Sequence, residues 1–145
     1  MRELTLIDKA LILKQLTLFD ALDLDVLLAI AAQAHLFDLS ADEPLFVEGQ
    51  EGSLMYIVVE GEVILNSREG EERMGSHSYF GEESVFSDKP RSYSVKTSRP
   101  SRLLALSRAH LHSLVYECPS VAIALLNAYT SLVNCRIALE KEQKS

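Results

Sequence analysis

Phe80–Val95 reads FGEESVFSDKPRSYSV, and this run decides what kind of chain surrounds it. A strand ends at Tyr79–Phe80, Gly81 permits a tight turn, and Glu82–Phe86 is long enough for about one helical turn. A short helix that opens after a glycine aims unpaired backbone N–H groups at whatever lies before it, which suits an anion. Nine residues after Glu82 comes Arg91, fixed behind Pro90 where a second apolar stretch begins. A guanidinium there offers two charge-assisted hydrogen bonds to a phosphate. Amide dipoles, one arginine and one carboxylate make a poor catalytic set. They make a good receptor for a phosphate attached to a sugar, with Glu82 accepting a hydrogen bond from a ribose hydroxyl.

Outward from this run the texture is β-rich. All 6 glycines lie between Gly49 and Gly81, and short apolar runs sit around them: Leu45–Val47, Met55–Val59, Glu62–Asn66, Ser92–Thr97 and Arg102–Leu106. Strands of about five residues at short turn spacing predict an antiparallel sandwich or barrel. Met55–Val59 is almost continuously apolar, as a strand buried on both faces should be. Asn66–Glu72 reads as a polar hairpin loop, with Gly70 available for positive φ.

Before this region, Leu4–Phe37 has helical periodicity. Leu6, Ala10, Leu13 and Leu16–Leu18 share a face, Asp20–Asp25 interrupts, and Val26, Leu27, Ile30, Ala31 and Ala34 resume it. Asp23 or Asp25 is placed to cap the second helix. After the β region, Arg108–Ser145 returns to helix and is broken at Pro119. The expected fold is α+β and mainly β, an antiparallel β-roll or jelly-roll barrel flanked by N-terminal helices and a C-terminal lid helix. It forms a single domain over residues 1–145: a helical lead-in at 4–38, the roll at 39–107 and terminal helices at 108–145.

The 145 residues suit one domain, and 48% hydrophobic with 24% charged residues is a globular balance. A net charge of −7, spread along the chain, repels nucleic acid and anionic membrane, so no direct contact with either is expected. An anionic small ligand needs only local positive potential. Arg2, Glu3 and Asp8 leave no secretory signal at the start, and the apolar runs Val26–Ala34 and Val121–Leu126 are too short to span a bilayer. A cytoplasmic location is expected. Cys118 and Cys135 lack zinc or disulfide spacing, and His35, His77, His110 and His112 read as surface or turn residues with no metal. There is no G-x-S-x-G elbow and no Lys-Ser/Thr after a glycine-rich loop, so the chain is not expected to be an enzyme. Gly49, Gly52 and Gly61 read as turn geometry.

The run at 80–95 resembles the phosphate-binding cassette of cyclic nucleotide-binding domains, whose pattern is F-G-E-x-A-L, a short loop, then P-R-x-A-[ST]-V. Upstream, the segment from Phe46 through Gly49, Gly52, Tyr56 and Gly61 to Val63 is similar to that family's entry hairpins, and Leu18-Phe19-Asp20-Ala21-Leu22 to its helical lead-in. The resemblance covers roughly residues 4–140, and two long motifs in the right order are more specific than either alone. It implies a cyclic mononucleotide ligand, cyclic AMP or cyclic GMP. Arg91 then neutralises the cyclic phosphate, Glu82 binds the ribose 2′-hydroxyl, and backbone N–H groups of Glu83 and Ser84 complete the cradle that opens at Gly81. Ser92 follows the arginine; a threonine there tends to accompany cyclic GMP preference, whereas serine also occurs in cyclic AMP binders. Three positions depart from the pattern: Ser84 stands where alanine is usual, His77 where a turn glycine is usual, and Tyr93 where alanine is usual. By strand alternation Tyr93 points to the side of Arg91 and Val95, either to crowd the phosphate or to hydrogen-bond with it.

A sensor of this kind needs a lid, and Pro119–Lys144 is the segment long enough to supply one. Ala122, Leu126, Tyr129, Val133 and Ile137 are expected to pack back on the roll. Leu125, Ala128, Leu132, Cys135 and Leu139 recur at heptad-like spacing, as a homodimer through the terminal helix would require, or they belong to one broad amphipathic helix. No DNA-binding or kinase domain fits within these residues. The expected setting is a regulated domain of a longer chain, or a module working by partner contact. The alternative is a ligand-free scaffold in which Arg91 and Glu82 form a plain ion pair.

Overall fold

The computed structural model describes residues 3–130. Two helices open it, α1 (Leu6–Lys14) and α2 (Leu24–Gln33). Strands β1 (His35–Leu39), β2 (Pro44–Phe46), β3 (Leu54–Glu60), β4 (Val63–Ser67), β5 (Gly70–Met74) and β6 (Tyr79–Phe80) follow. A single turn of helix, α3 (Glu83–Phe86), then leads to β7 (Ser94–Thr97), β8 (Ser101–Ser107) and α4 (Arg108–Glu117). A last helix, α5, is described over Pro119–Thr130 and is bent by 119° from α4 at the break at Cys118.

The strands make two four-stranded sheets, ordered β1-β8-β3-β6 and β2-β7-β4-β5, with every pair antiparallel. The protein is mainly β with flanking helices, as its sequence predicts. Strand alternation separates two cores. Met55 and Ile57 of β3, with Leu104 and Leu106 of β8, face Leu13, Phe19, Leu27 and Ile30 of the helical layer. Tyr56, Val58, Leu103 and Ala105 face the other sheet and meet Phe46, Val63, Leu65, Phe80 and Val95. The apolar run at Met55–Val59 is therefore apolar because both of its faces are covered.

The helical lead-in ends earlier than its hydrophobic period suggests. Ala34 turns extended (ψ 135°) and β1 pairs with β8 from His35↔Ala105 to Leu39↔Ser101, so 35–38 belong to the roll. Asp38 accepts a hydrogen bond from Arg102 Nε at 3.0 Å across that pair. Asp23 is the N-cap of α2, but its side chain makes no cap bond; Thr5 and Asp8 form a capping box on α1 instead. The polar loop at 66–72 is narrower than expected, because β5 pairs from Ser67↔Gly70 onward. β5 is exposed along most of its length, so no hydrophobic alternation announces it.

At the C-terminal end the packing face is corrected. Val121 and Leu125, four residues apart, are buried in the helical core, whereas Leu126 and Tyr129 are 65% and 51% exposed. Leu125, expected on a partner-facing stripe, is thus part of the inward face, whereas Leu126 and Tyr129 stay half-exposed and Tyr129 borders the open end of the roll. Leu132, Val133, Cys135, Ile137 and Leu139 lie outside the described residues. No single helix among those described is long and apolar enough to cross a membrane.

Candidate functional site

The run 80–95 leaves the edge of one sheet at β6 and enters the middle of the other at β7, bridging the open end of the roll. Phe80 is held by pairing with Tyr56 and by stacking of the two rings at 5.3 Å. Gly81 then turns through φ +80°, a conformation that favours glycine. α3 closes with Val85 N–H on the Glu82 carbonyl and Ser87 N–H on that of Glu83. His77, where a glycine is usual, adopts φ 71° and keeps the preceding turn, with its N–H on the Val58 carbonyl at 2.8 Å.

Arg91 is fixed by the upstream glycine-rich segment. Its N–H donates to the Gln50 carbonyl and its own carbonyl accepts from Gly49 N–H, both at 2.8 Å. The two motifs therefore belong to one construction. The Arg91 side chain turns inward and is only 7% exposed. Nη1 donates to the Gly81 carbonyl at 3.2 Å and Nη2 to the Leu54 carbonyl at 2.9 Å, while the guanidinium carbon stands 3.9 Å above the Phe46 ring. Its Nε is buried and finds no hydrogen-bond partner among the described residues. Burial draws its pKa below the ordinary guanidinium value, opposed by Tyr56, Tyr93, Glu83 and Glu82.

Arg91 is therefore a buried side chain held by backbone carbonyls. Gly52 is not merely a turn glycine: a methyl group there would overlap the guanidinium, and one at Gly81 would stand 2.7 Å from Nη1 and 3.1 Å from the Leu54 carbonyl. Phe46, the platform for the cation, lies in a segment the sequence singles out, but nothing in the pattern marks its role.

Tyr93 does lie on the Arg91 side. Its hydroxyl oxygen accepts the Gly81 N–H at 2.7 Å, and its ring centroid is 5.6 Å from that of Phe46. Burial, reinforced by Glu82, pushes the phenol pKa up to about 12, so it is neutral at physiological pH. Ser92 donates its hydroxyl to Glu83 Oε2 at 3.0 Å. Ser84 is buried, and its N–H, expected in the cradle, closes a turn onto the Gly81 carbonyl at 3.1 Å.

A cavity of about 730 Å3 lies between this run and the β4–β5 hairpin, a size suited to a small molecule. Leu65, Met74, Tyr79, Phe80, Tyr93 and Tyr129 supply its apolar surface. Its charged lining is Glu48, Glu69, Glu71, Glu72, Glu82 and Glu83 against Arg68, and Arg91 is not part of the lining. Among the described residues no group of three His, Cys, Asp or Glu is placed to hold a metal ion.

One residue that sequence reasoning misses is Arg108, the first residue of α4. Its Nε donates to the Ser84 carbonyl at 2.7 Å and its Nη2 to those of Gly52 and Ser87 at 3.2 Å, while Nη1 lies 3.2 Å from Asp88. His112 joins it, with Nε2 3.2 Å from the Val85 carbonyl. α4 is thus tied directly to α3 and to the Gly52 loop. No local pattern signals this, because a basic residue after a strand is ordinary.

The model of the cyclic nucleotide-binding domain matches residues 36–117, more than half of the chain. The chain belongs to the cyclic nucleotide-binding domain family. It is 29% identical over 121 residues to a CRP-like cAMP-activated global transcriptional regulator of Mycobacterium tuberculosis, covering 79% of this chain and 54% of that protein. It is also 29% identical over 124 residues to the potassium channel AKT2 of Oryza sativa subsp. japonica, covering 81% of this chain and 14% of the channel. The chain therefore spans about half the length of the regulator and a small part of the channel. Among solved structures, the N-terminal domain of a transcriptional regulator from Streptomyces coelicolor A3(2) superposes with a TM-score of 0.76 at 30% identity, over 89% of this chain and 94% of that one.

Proposed function

We propose that this protein is a regulatory sensor that captures a cyclic mononucleotide, cyclic AMP in preference to cyclic GMP, and passes the event to its C-terminal helices. The observation that carries the reading is the Gly81-Glu82…Arg91 construction at the open end of the roll, beside a cavity of nucleotide size. Arg91 would neutralise the cyclic phosphate and Glu82 would accept from the ribose 2′-hydroxyl. The amides of Glu83 and Ser84 would complete the cradle, the latter after release from the Gly81 carbonyl. Cyclic AMP is favoured because the Ser92 hydroxyl is already engaged by Glu83, and because a relative across most of this chain is described as cAMP-activated.

Arg108 is the proposed coupler. Any shift of the Ser84–Ser87 carbonyls that accompanies ligand capture pulls on the first turn of α4, and through the bend at Cys118 on α5. The effector would be another part of a longer chain or a partner, with homodimerisation through the terminal helix one form this takes. Catalysis is not part of the reading.

A second reading, a ligand-free scaffold, is favoured by the Tyr93 hydroxyl on Gly81 N–H and by the acidic cavity lining. Thermal melts with cyclic AMP and cyclic GMP separate the two. A ligand that binds the native state raises the melting temperature by mass action, so cyclic AMP should raise it more than cyclic GMP. If neither changes it at millimolar concentration, the scaffold reading stands.

A further inference from the structure

We propose that Tyr93 is an internal occupant of the anion site, so that the domain rests in a self-capped state and a ligand must displace the phenol before it reaches Arg91. This rests on the cyclic nucleotide reading above and adds a resident competitor to it.

Three independent observations meet at this residue. The phenol oxygen takes the Gly81 N–H at 2.7 Å, where an anionic oxygen would be the stronger acceptor. The Tyr93 ring lies against Phe46, the ring that also carries the Arg91 guanidinium, so the three side chains form one packed group. Tyr93 lines the cavity, whereas Arg91, at 7% exposure, does not. The cation needed for phosphate therefore sits behind a neutral phenol.

The cap is built to be removable. The bond from Gly81 N–H to a neutral oxygen is modest in net strength, and a phosphate would exchange it for a charge-assisted one. Until then the apparent affinity is the intrinsic affinity reduced by the fraction of molecules with the phenol withdrawn. The domain thus responds at higher nucleotide concentration than its pocket would otherwise dictate.

The test is titration of the 15N-labelled 145-residue chain with cyclic AMP, for wild type, Tyr93→Phe and Tyr93→Ala, following heat by calorimetry and the Gly81 amide by NMR. Tyr93→Phe keeps the ring on Phe46 and removes only the acceptor, so it guards against loss of folding in Tyr93→Ala. The expected results are a shift of the Gly81 amide in both variants without ligand, and affinity tighter by about fivefold in Tyr93→Phe and about tenfold or more in Tyr93→Ala. Unchanged or weaker binding in both folded variants, with wild type still binding, overturns the cap and leaves the nucleotide reading intact. If wild type and both folded variants stay silent at millimolar cyclic AMP, the nucleotide reading fails and the cap with it.

Discussion

Gly52→Ala adds a single methyl group that would overlap the Arg91 guanidinium. Two responses are open to the protein. It keeps Arg91 in place and tolerates the overlap, at roughly 1–3 kcal/mol for an overpacked site. Otherwise the guanidinium swings away from the Gly81 and Leu54 carbonyls, losing two hydrogen bonds from a charged donor worth about 1.5–3 kcal/mol each. The cheaper route wins, so the variant should lose roughly 1–3 kcal/mol, and each kcal/mol lowers the melting temperature by about 2–4 °C for a chain of this size. The decisive comparison is Gly52→Ala in an Arg91→Ala background. There the methyl enters vacated space, and because Gly52 does not occupy a positive φ, the substitution should be neutral or stabilising by about 0.4–1 kcal/mol. Urea melts of the wild type, both single variants and the double variant give the cycle, with an expected coupling of at least about 1 kcal/mol. If the two changes add to within roughly 0.5 kcal/mol, Gly52 and Arg91 do not compete for the same space and the account of the site is wrong.

Arg91→Ala should lower the stability of the empty domain, because it removes the two hydrogen bonds that a buried guanidinium donates to the Gly81 and Leu54 carbonyls; a melting temperature equal to wild type would contradict that placement. Arg108→Ala should leave cyclic AMP affinity within about threefold, since Arg108 does not line the cavity, yet remove ligand-induced amide shifts in α4 and α5; persistence of those shifts would sink its role as coupler. Glu62 has its pKa held below 4.5 by the Ser98 hydroxyl first and Arg73 next, so it contributes stability that is present above pH 4.5 and lost as pH falls through the depressed folded value. Glu62→Gln should therefore flatten the fall of melting temperature with acidification below pH 4.5, and an unchanged slope would remove Glu62 from the explanation.

The fold was legible because its signals are local. Glycines mark the strand ends, alternation marks the exposed faces, and the continuous run at Met55–Val59 marks a strand covered on both sides. What stayed hidden depends on long-range pairing. β1 follows a helical period without a break, and only its partner β8 makes it a strand. β5 carries no apolar face to read. Within the site, the sequence placed Gly81, Glu82 and Arg91 in one construction and set Tyr93 on the side of Arg91. The depth of Arg91 has no local signal, because it comes from a space left empty at Gly52 and a ring offered by Phe46, both more than thirty residues away. Arg108 was invisible for the same reason: its partners are carbonyls, which carry no side-chain signature.

The central claim is that Arg91 is the counter-charge for a cyclic phosphate, and calorimetric titration of cyclic AMP into wild type and Arg91→Lys tests it most directly. Lysine keeps the charge but loses the planar fork and one of its two directed hydrogen bonds, so saturable binding to wild type should weaken by at least about tenfold in the variant. Equal affinity in the two folded proteins would contradict the claim.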